Sequence, residues 1–307
     1  MKIHFKTIAG AFVQWLGASI GFMVCLTLVN MAFPMLASIM SLRPANGFLP
    51  SGLAFLFNGA VNGLVLVWAG RHSSFKGLGL WGTLVALSFG TQTLMTQIET
   101  AYFISAFPLL HGNFEVYAIV WRGLLVAGLL SLLVTWMVGG FSRKPRAEKS
   151  FSLTEKDVVK AGAWLAAVYI ALYFLFGYFV AWQSQAVRLF YGGPQELNSI
   201  VNQLGQTFMN RPEIILFQYF RGELWILCLV PLFAGFSGKR WELVVVSALA
   251  LALLPTAQLA FANPLMPAEV SVMHFWEVSI STGIFGALCA WFIPKEREGS
   301  PQSHREK

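Results

Sequence analysis

"IAGAFVQWLGASIGFMVCLTLVNMAF" (residues 8–33) carries no charged side chain. A helix that crosses a bilayer needs about 20 mainly apolar residues, and this run exceeds that. It also exceeds the apolar region of about 7–15 residues in a secretory signal, although it follows a basic start, "MKIHFK". "FMVC" lacks the small residue that a lipoprotein signal places before its cysteine, here Cys25. An uncleaved transmembrane helix over about 8–31 is therefore expected. In hydrocarbon a backbone must satisfy its own hydrogen bonds, and a helix does so within one segment.

Seven more segments follow the same pattern: about 51–70, 78–103, 117–140, 159–182, 213–236, 241–262 and 270–293. The composition agrees. The chain is 56% hydrophobic and 11% charged, with a mean hydropathy of +0.64, where soluble domains are about 25% charged. The expected fold class is all-α, a polytopic transmembrane bundle of about eight spans whose first partner is the lipid bilayer.

Loop charges give an orientation. Lys2 and Lys6 precede the first span. Arg71 and Lys76 lie between the second and third. Arg143, Lys144, Arg146, Lys149, Lys156 and Lys160 lie between the fourth and fifth, and Lys239 and Arg240 between the sixth and seventh. Lys295, Arg297, Arg305 and Lys307 follow the last span. Alternate connections thus hold 16 basic residues, against three (Arg43, Arg188 and Arg211) on the other side. The positive-inside rule then places both termini in the cytoplasm. It also accounts for the net charge of +7 without nucleic acid, which would need a basic face on a folded soluble domain.

Residues 141–158 read as a cytoplasmic linker between two four-span halves, 1–140 and 159–293, and 294–307 as a polar, disordered tail. "FNGAVNGLVLV" (57–67) and "FRGELWILCLV" (220–230) share Phe, Gly, Leu and Val in register; four spans per half would make such a repeat parallel. Two outer segments are long. In 183–211, Leu197, Ile200, Val201, Leu204 and Phe208 recur at helical spacing, as in a helix lying on the membrane or capping a cavity. Residues 34–50 could do the same, though a plain surface loop is the simpler reading of both.

Charge inside a span costs about 2.5–3.5 kcal/mol at mid-helix. Glu99, Arg122, Arg221, Glu223, His274 and Glu277 all fall in the outer half by this topology. Ser88, Gln92, Thr96 and Glu99 form a stripe along the third span, and His274, Glu277 and Ser281 share a face of the eighth. Gln218, Arg221 and Trp225 share a face of the sixth, from which Glu223 is turned by about 200°. Arg221 is the natural partner of Glu99 or Glu277, while Glu223 would meet Arg122 or another donor. On the second span, Asn58 and Asn62 add polarity, and Gly59 and Gly63 permit close helix approach.

Several chemistries are not supported. "GFSG" (235–238) imitates the serine motif of rhomboid proteases, but Ser237 ends a span on the side away from His274. Cys25, Cys228 and Cys289 stand alone without metal-type spacing. No nucleotide loop, dinucleotide fingerprint or haem motif occurs, and no cofactor is expected. A metal site is not favoured; His274 and Glu277 with Glu99 as third ligand is the one set available.

"FANPLMPAEVSVMHFWEVSISTGIFGALCAWF" (261–292), "QIETAYF" (97–103) and "YFRGELW" (219–225) resemble a group of uncharacterised bacterial multi-pass membrane proteins. The shared features are an N-P-x-M-P turn, an H-x-x-E-x-x-S helix start, a Q-x-E-T-x-x-F span and an R-G-x-x-W span. The resemblance implies the bacterial inner membrane and marks Glu99, Arg221, Asn263, Pro264, Pro267, His274 and Glu277. It implies no activity. That helix commonly reads S-S-N-F where this chain has "SIST", so Ser281 is not marked.

Three functions fit the sequence. The preferred one is a permease or a membrane protein that binds a small solute or ion. Glu99, His274 and Glu277 would hold a cationic or protonatable cargo or relay protons, with Arg221 as counter-ion and Gln92, Glu223 and Arg122 nearby. The second is a membrane-embedded enzyme, metal-dependent or not, acting on a lipid-type substrate. The third is an accessory subunit whose ion pairs only fasten helices. Partner subunits are not legible.

Overall fold

The computed structural model describes residues 2–41, 47–110, 113–142 and 148–296. Twelve α-helices are described: α1 (Lys2–Met31), α2 (Pro34–Ser41), α3 (Ser51–Arg71), α4 (Gly77–Phe89), α5 (Met95–Tyr102), α6 (Asn113–Met137), α7 (Glu155–Phe179), α8 (Gln185–Phe190), α9 (Ile200–Asn210), α10 (Glu213–Gly235), α11 (Arg240–Ala257) and α12 (Ala268–Phe292). Strands β1 (Phe151–Ser152) and β2 (Lys295–Glu296) pair antiparallel. Among the described residues, seven helices are long and apolar enough to cross a membrane: α1, α3, α6, α7, α10, α11 and α12.

The segment 78–103 is not among them, because its helix is interrupted. A π-helical turn, Gly90–Leu94, joins α4 to α5 without a break in the chain path. A π-turn holds one more residue than an α-turn. It falls where Gly90 lies against α10: a Cβ on Gly90 would be 2.6 Å from Cys228 Sγ. The extra residue changes the helical phase. Ser88 leaves the expected stripe and is buried, its hydroxyl donating to the Leu84 carbonyl, while Gln92, Thr96 and Glu99 keep a common side.

Polarity is distributed inside out. Phe12, Leu16, Ile20, Val24 and Leu28 are exposed along α1, and Trp121, Trp136, Trp276 and Trp291 are exposed on α6 and α12. Asn58, Asn62, Gln218, Arg221 and Glu277 are buried. Water would not tolerate that surface, and lipid does. This is the fold of a multi-pass α-helical membrane protein.

The second half repeats the packing order of the first. In the first half α1 packs on α3 and α6, and α4 on α6; in the second α7 packs on α10 and α12, and α11 on α12. The halves meet through α3 against α11 and α4 against α10. Two glycines in the matching stretches serve matching contacts. A Cβ on Gly59 would lie 2.7 Å from the Ser19 carbonyl of α1, and one on Gly222 would lie 2.9 Å from Ala166 Cα of α7.

One end of the bundle is laced by backbone bonds. Gly77 N–H donates to Gly140 O (3.0 Å), Ser74 to Gly235 (2.7 Å), Ser237 to His72 (2.7 Å) and Ser150 to Phe236 (2.9 Å). Phe151 is buried there, under the Arg240 guanidinium. Arg240 also donates to the Trp291 and Pro294 carbonyls. Residues 148–158 are thus docked rather than free, and residues 294–296 belong to the fold; the rest of the expected tail, 297–307, lies outside the described residues. So do Arg43, His111, Arg143, Lys144 and Arg146. The Ser237 hydroxyl donates to the His72 backbone carbonyl, not to its ring. On the opposite side, Arg188 is buried and donates to the carbonyls of Trp182, Gln183, Pro194 and Gln195, which folds the 182–195 turn around it.

Candidate functional site

At the other end, between the halves, lies a chamber of about 390 Å³, near the lower limit of small-molecule sites. One wall is apolar, with Phe22 and Leu26 of α1 and Leu36 of α2. The polar lining includes Gln92, Thr96, Glu99, Arg221 and His274, with Arg122 of α6 and with Tyr191 from the turn after α8.

Arg221 spans the two halves. Its Nη1 donates to Glu99 Oε1 at 3.0 Å and its Nη2 to Glu99 Oε2 at 2.8 Å, a bidentate pair. Nη1 also donates to Gln218 Oε1 at 2.9 Å. The Arg221 side chain is 4% exposed and that of Glu99 is 32% exposed. The helical wheel left Arg221 to choose between Glu99 and Glu277, and the fold gives it Glu99.

Glu277 is buried behind His274 and does not line the chamber. His274 Nδ1 is 2.9 Å from Glu277 Oε2, and its Nε2 is 2.9 Å from the Tyr191 hydroxyl. Burial, with the carboxylates of Glu99 and Glu277 nearby, pushes the Tyr191 phenol well above its ordinary value, so it stays protonated. With a neutral imidazole protonated at Nδ1, Tyr191 O–H donates to Nε2 and Nδ1–H donates to the Glu277 carboxylate. The result is a hydroxyl–imidazole–carboxylate chain ending at the chamber.

The turn before α12 sets this register. Asn263 Oδ1 accepts the Leu265 N–H at 2.9 Å, an Asx turn, and Pro267 caps α12. Pro255 frees the Leu251 carbonyl within α11, because proline has no N–H to offer it. The Thr282 hydroxyl of α12 donates to that carbonyl at 2.6 Å. Gln258 then reaches across the halves, donating to the Gln92 carbonyl at 3.1 Å.

One expected placement is corrected. Glu223 does not meet Arg122. It faces α7, where its Oε2 would lie 3.0 Å from a Cβ on Gly162, because it points away from the Arg221 face. Arg122 lies in the chamber instead, its Nη1 3.3 Å from Asn30 Oδ1 of α1. Nor do His274, Glu277 and Glu99 gather as metal ligands: among the described residues no group of three such side chains does, and Glu99 is engaged by Arg221. Of the outer segments, α2 and the turn after α8 close the chamber, whereas α9 does not line it. α9 exposes Val201, Phe208 and Met209 and touches α7 where Phe208 meets Phe174. Sequence reading missed Tyr191, Asn30 and Gln258.

No protein family, curated protein or solved structure matches this chain.

Proposed function

We propose that the protein is a permease or solute-binding membrane protein whose chamber between the two halves receives a small solute. The observation that carries this reading is the Arg221–Glu99 pair, which bridges the halves at the chamber wall. A bond across such a junction is placed to change when one half moves against the other. Eight passes belong to the same reading, with Gly77–Tyr102 as the interrupted third. So do cytoplasmic termini and the bacterial inner membrane. The gathering of Arg71, Lys76, Lys149, Lys239, Arg240 and Lys295 around the end away from the chamber supports that orientation.

The test is uptake by purified protein in proteoliposomes, with a panel of labelled small carboxylates, phosphate esters and amines. The wild-type protein should accumulate at least one of them. Thr100→Trp, which fills the chamber from its wall and keeps every member of both pairs, should abolish that uptake. If no panel member crosses with the wild-type protein, the permease reading fails.

The Tyr191–His274–Glu277 chain favours a second reading, a membrane-embedded enzyme working by general acid–base catalysis on a lipid-type substrate. Under it, Tyr191→Phe removes the hydroxyl that carries the transferable proton. Turnover of lipid-extract substrates should then fall about 10²–10⁴-fold, and unchanged turnover would remove Tyr191 from the chemistry.

A further inference from the structure

Charge in the chamber is not evenly matched. Both Glu99 oxygens are taken by Arg221, and Glu277 is taken by His274. Arg122 has no such partner: among the described residues no carboxylate pairs with it. Its Nη1 meets only the neutral Asn30 Oδ1, and its Nε is buried without a hydrogen-bond partner. An ionised group held in a span without a counter-charge is a functional-site signature. Beside it the chamber turns apolar, with Phe22 and Leu26 on α1 and Leu36 on α2.

We infer that Arg122 heads an anion subsite. The ligand places a carboxylate or phosphate against the guanidinium and an apolar portion along Phe22, Leu26 and Leu36. This rests on the solute-binding reading above and replaces the cationic cargo expected from the sequence, because Glu99 is already paired with Arg221 and Glu277 lies behind His274, off the chamber wall. Asn30 holds the guanidinium toward the chamber and leaves its charge unspent.

The experiment uses the purified full-length protein and four probes with one tail and different heads: decanoate, decyl phosphate, decylamine and decanol. Decanoate and decyl phosphate should raise the unfolding temperature, and the other two should not. Arg122→Gln should weaken the response about 10- to 100-fold, the loss of one charge-assisted hydrogen bond. Without ligand, this variant should unfold no lower than wild type, since it removes a charge that has no counter-charge. Asn30→Asp supplies a resident carboxylate beside Arg122 and should silence the anion response in a folded protein. Acetate and inorganic phosphate distinguish a free anion from a lipid headgroup, and a response to either through Arg122 supports the subsite. Decylamine matching decanoate overturns the inference, as does an undiminished anion response in both variants. An Arg122-dependent response in a protein that moves no solute would sink the permease reading alone. Uptake indifferent to Arg122→Gln would sink only the subsite.

Discussion

Glu99→Leu should cost about 3–5 kcal/mol of stability, and Arg221→Leu distinctly less. The asymmetry follows from burial. Glu99 is about one-third exposed to the chamber, whereas Arg221 is 4% exposed. Removing the acid strands a buried guanidinium with only the Gln218 oxygen beside it. Removing the arginine leaves a carboxylate that the chamber can still hydrate. The double variant Glu99→Leu, Arg221→Leu should recover most of the loss, because replacing a buried pair by apolar side chains of similar volume is often neutral. Thermal or denaturant unfolding in detergent gives the four corners of the cycle. Equal losses in the two single variants would show that burial does not set the energetics of this pair.

Gly222→Val should be strongly damaging although it leaves every charge in place. A Cβ at this position would sit 2.9 Å from Ala166 Cα, 3.1 Å from Ala166 Cβ and 3.2 Å from Tyr169 Cβ. The first contact is with backbone, so no rotamer relieves it and α10 must move off α7. Overpacking of this kind costs about 1–3 kcal/mol and occasionally more. The neighbouring Arg221 would move with the helix, so the bond across the halves should be lost as well. Gly59→Val should behave alike at the α1–α3 contact, where the obstruction is the Ser19 carbonyl. Gly82→Ala is the control: nothing lies within 4 Å of its would-be Cβ, and its unfolding temperature should stay at or above that of wild type. Expression and unfolding temperature of the three variants decide the matter.

The spans were legible because hydrocarbon imposes one demand over a long stretch: every backbone group must be satisfied locally, so apolar length alone identifies the helix. The Gly59 and Gly63 contacts with α1 were legible for a related reason, since small residues in lipid-soluble helices mark close approach. The π-turn was not. The segment reads as an unbroken helix at 3.6 residues per turn, and the surplus residue is placed by Gly90 lying against Cys228 in another helix. Arg221 had two acids at plausible depth, and only the relative rotation of α5, α10 and α12 decides between them. Tyr191 lies in a segment whose helical apolar spacing begins only at Leu197 and points to α9. Asn30 is one polar residue in a long apolar run, and its contact with Arg122 depends on where α6 crosses α1.

The halves adhere through α3 on α11 and α4 on α10, and residues 148–152 are tied to Phe236 and to β2 within the second half. The contacts described between the halves are non-covalent and lie within residues 2–142 and 148–296. Two polypeptides made separately from the same gene, parted between residues 142 and 148, would meet through the same surfaces and keep the Arg221–Glu99 bond between them.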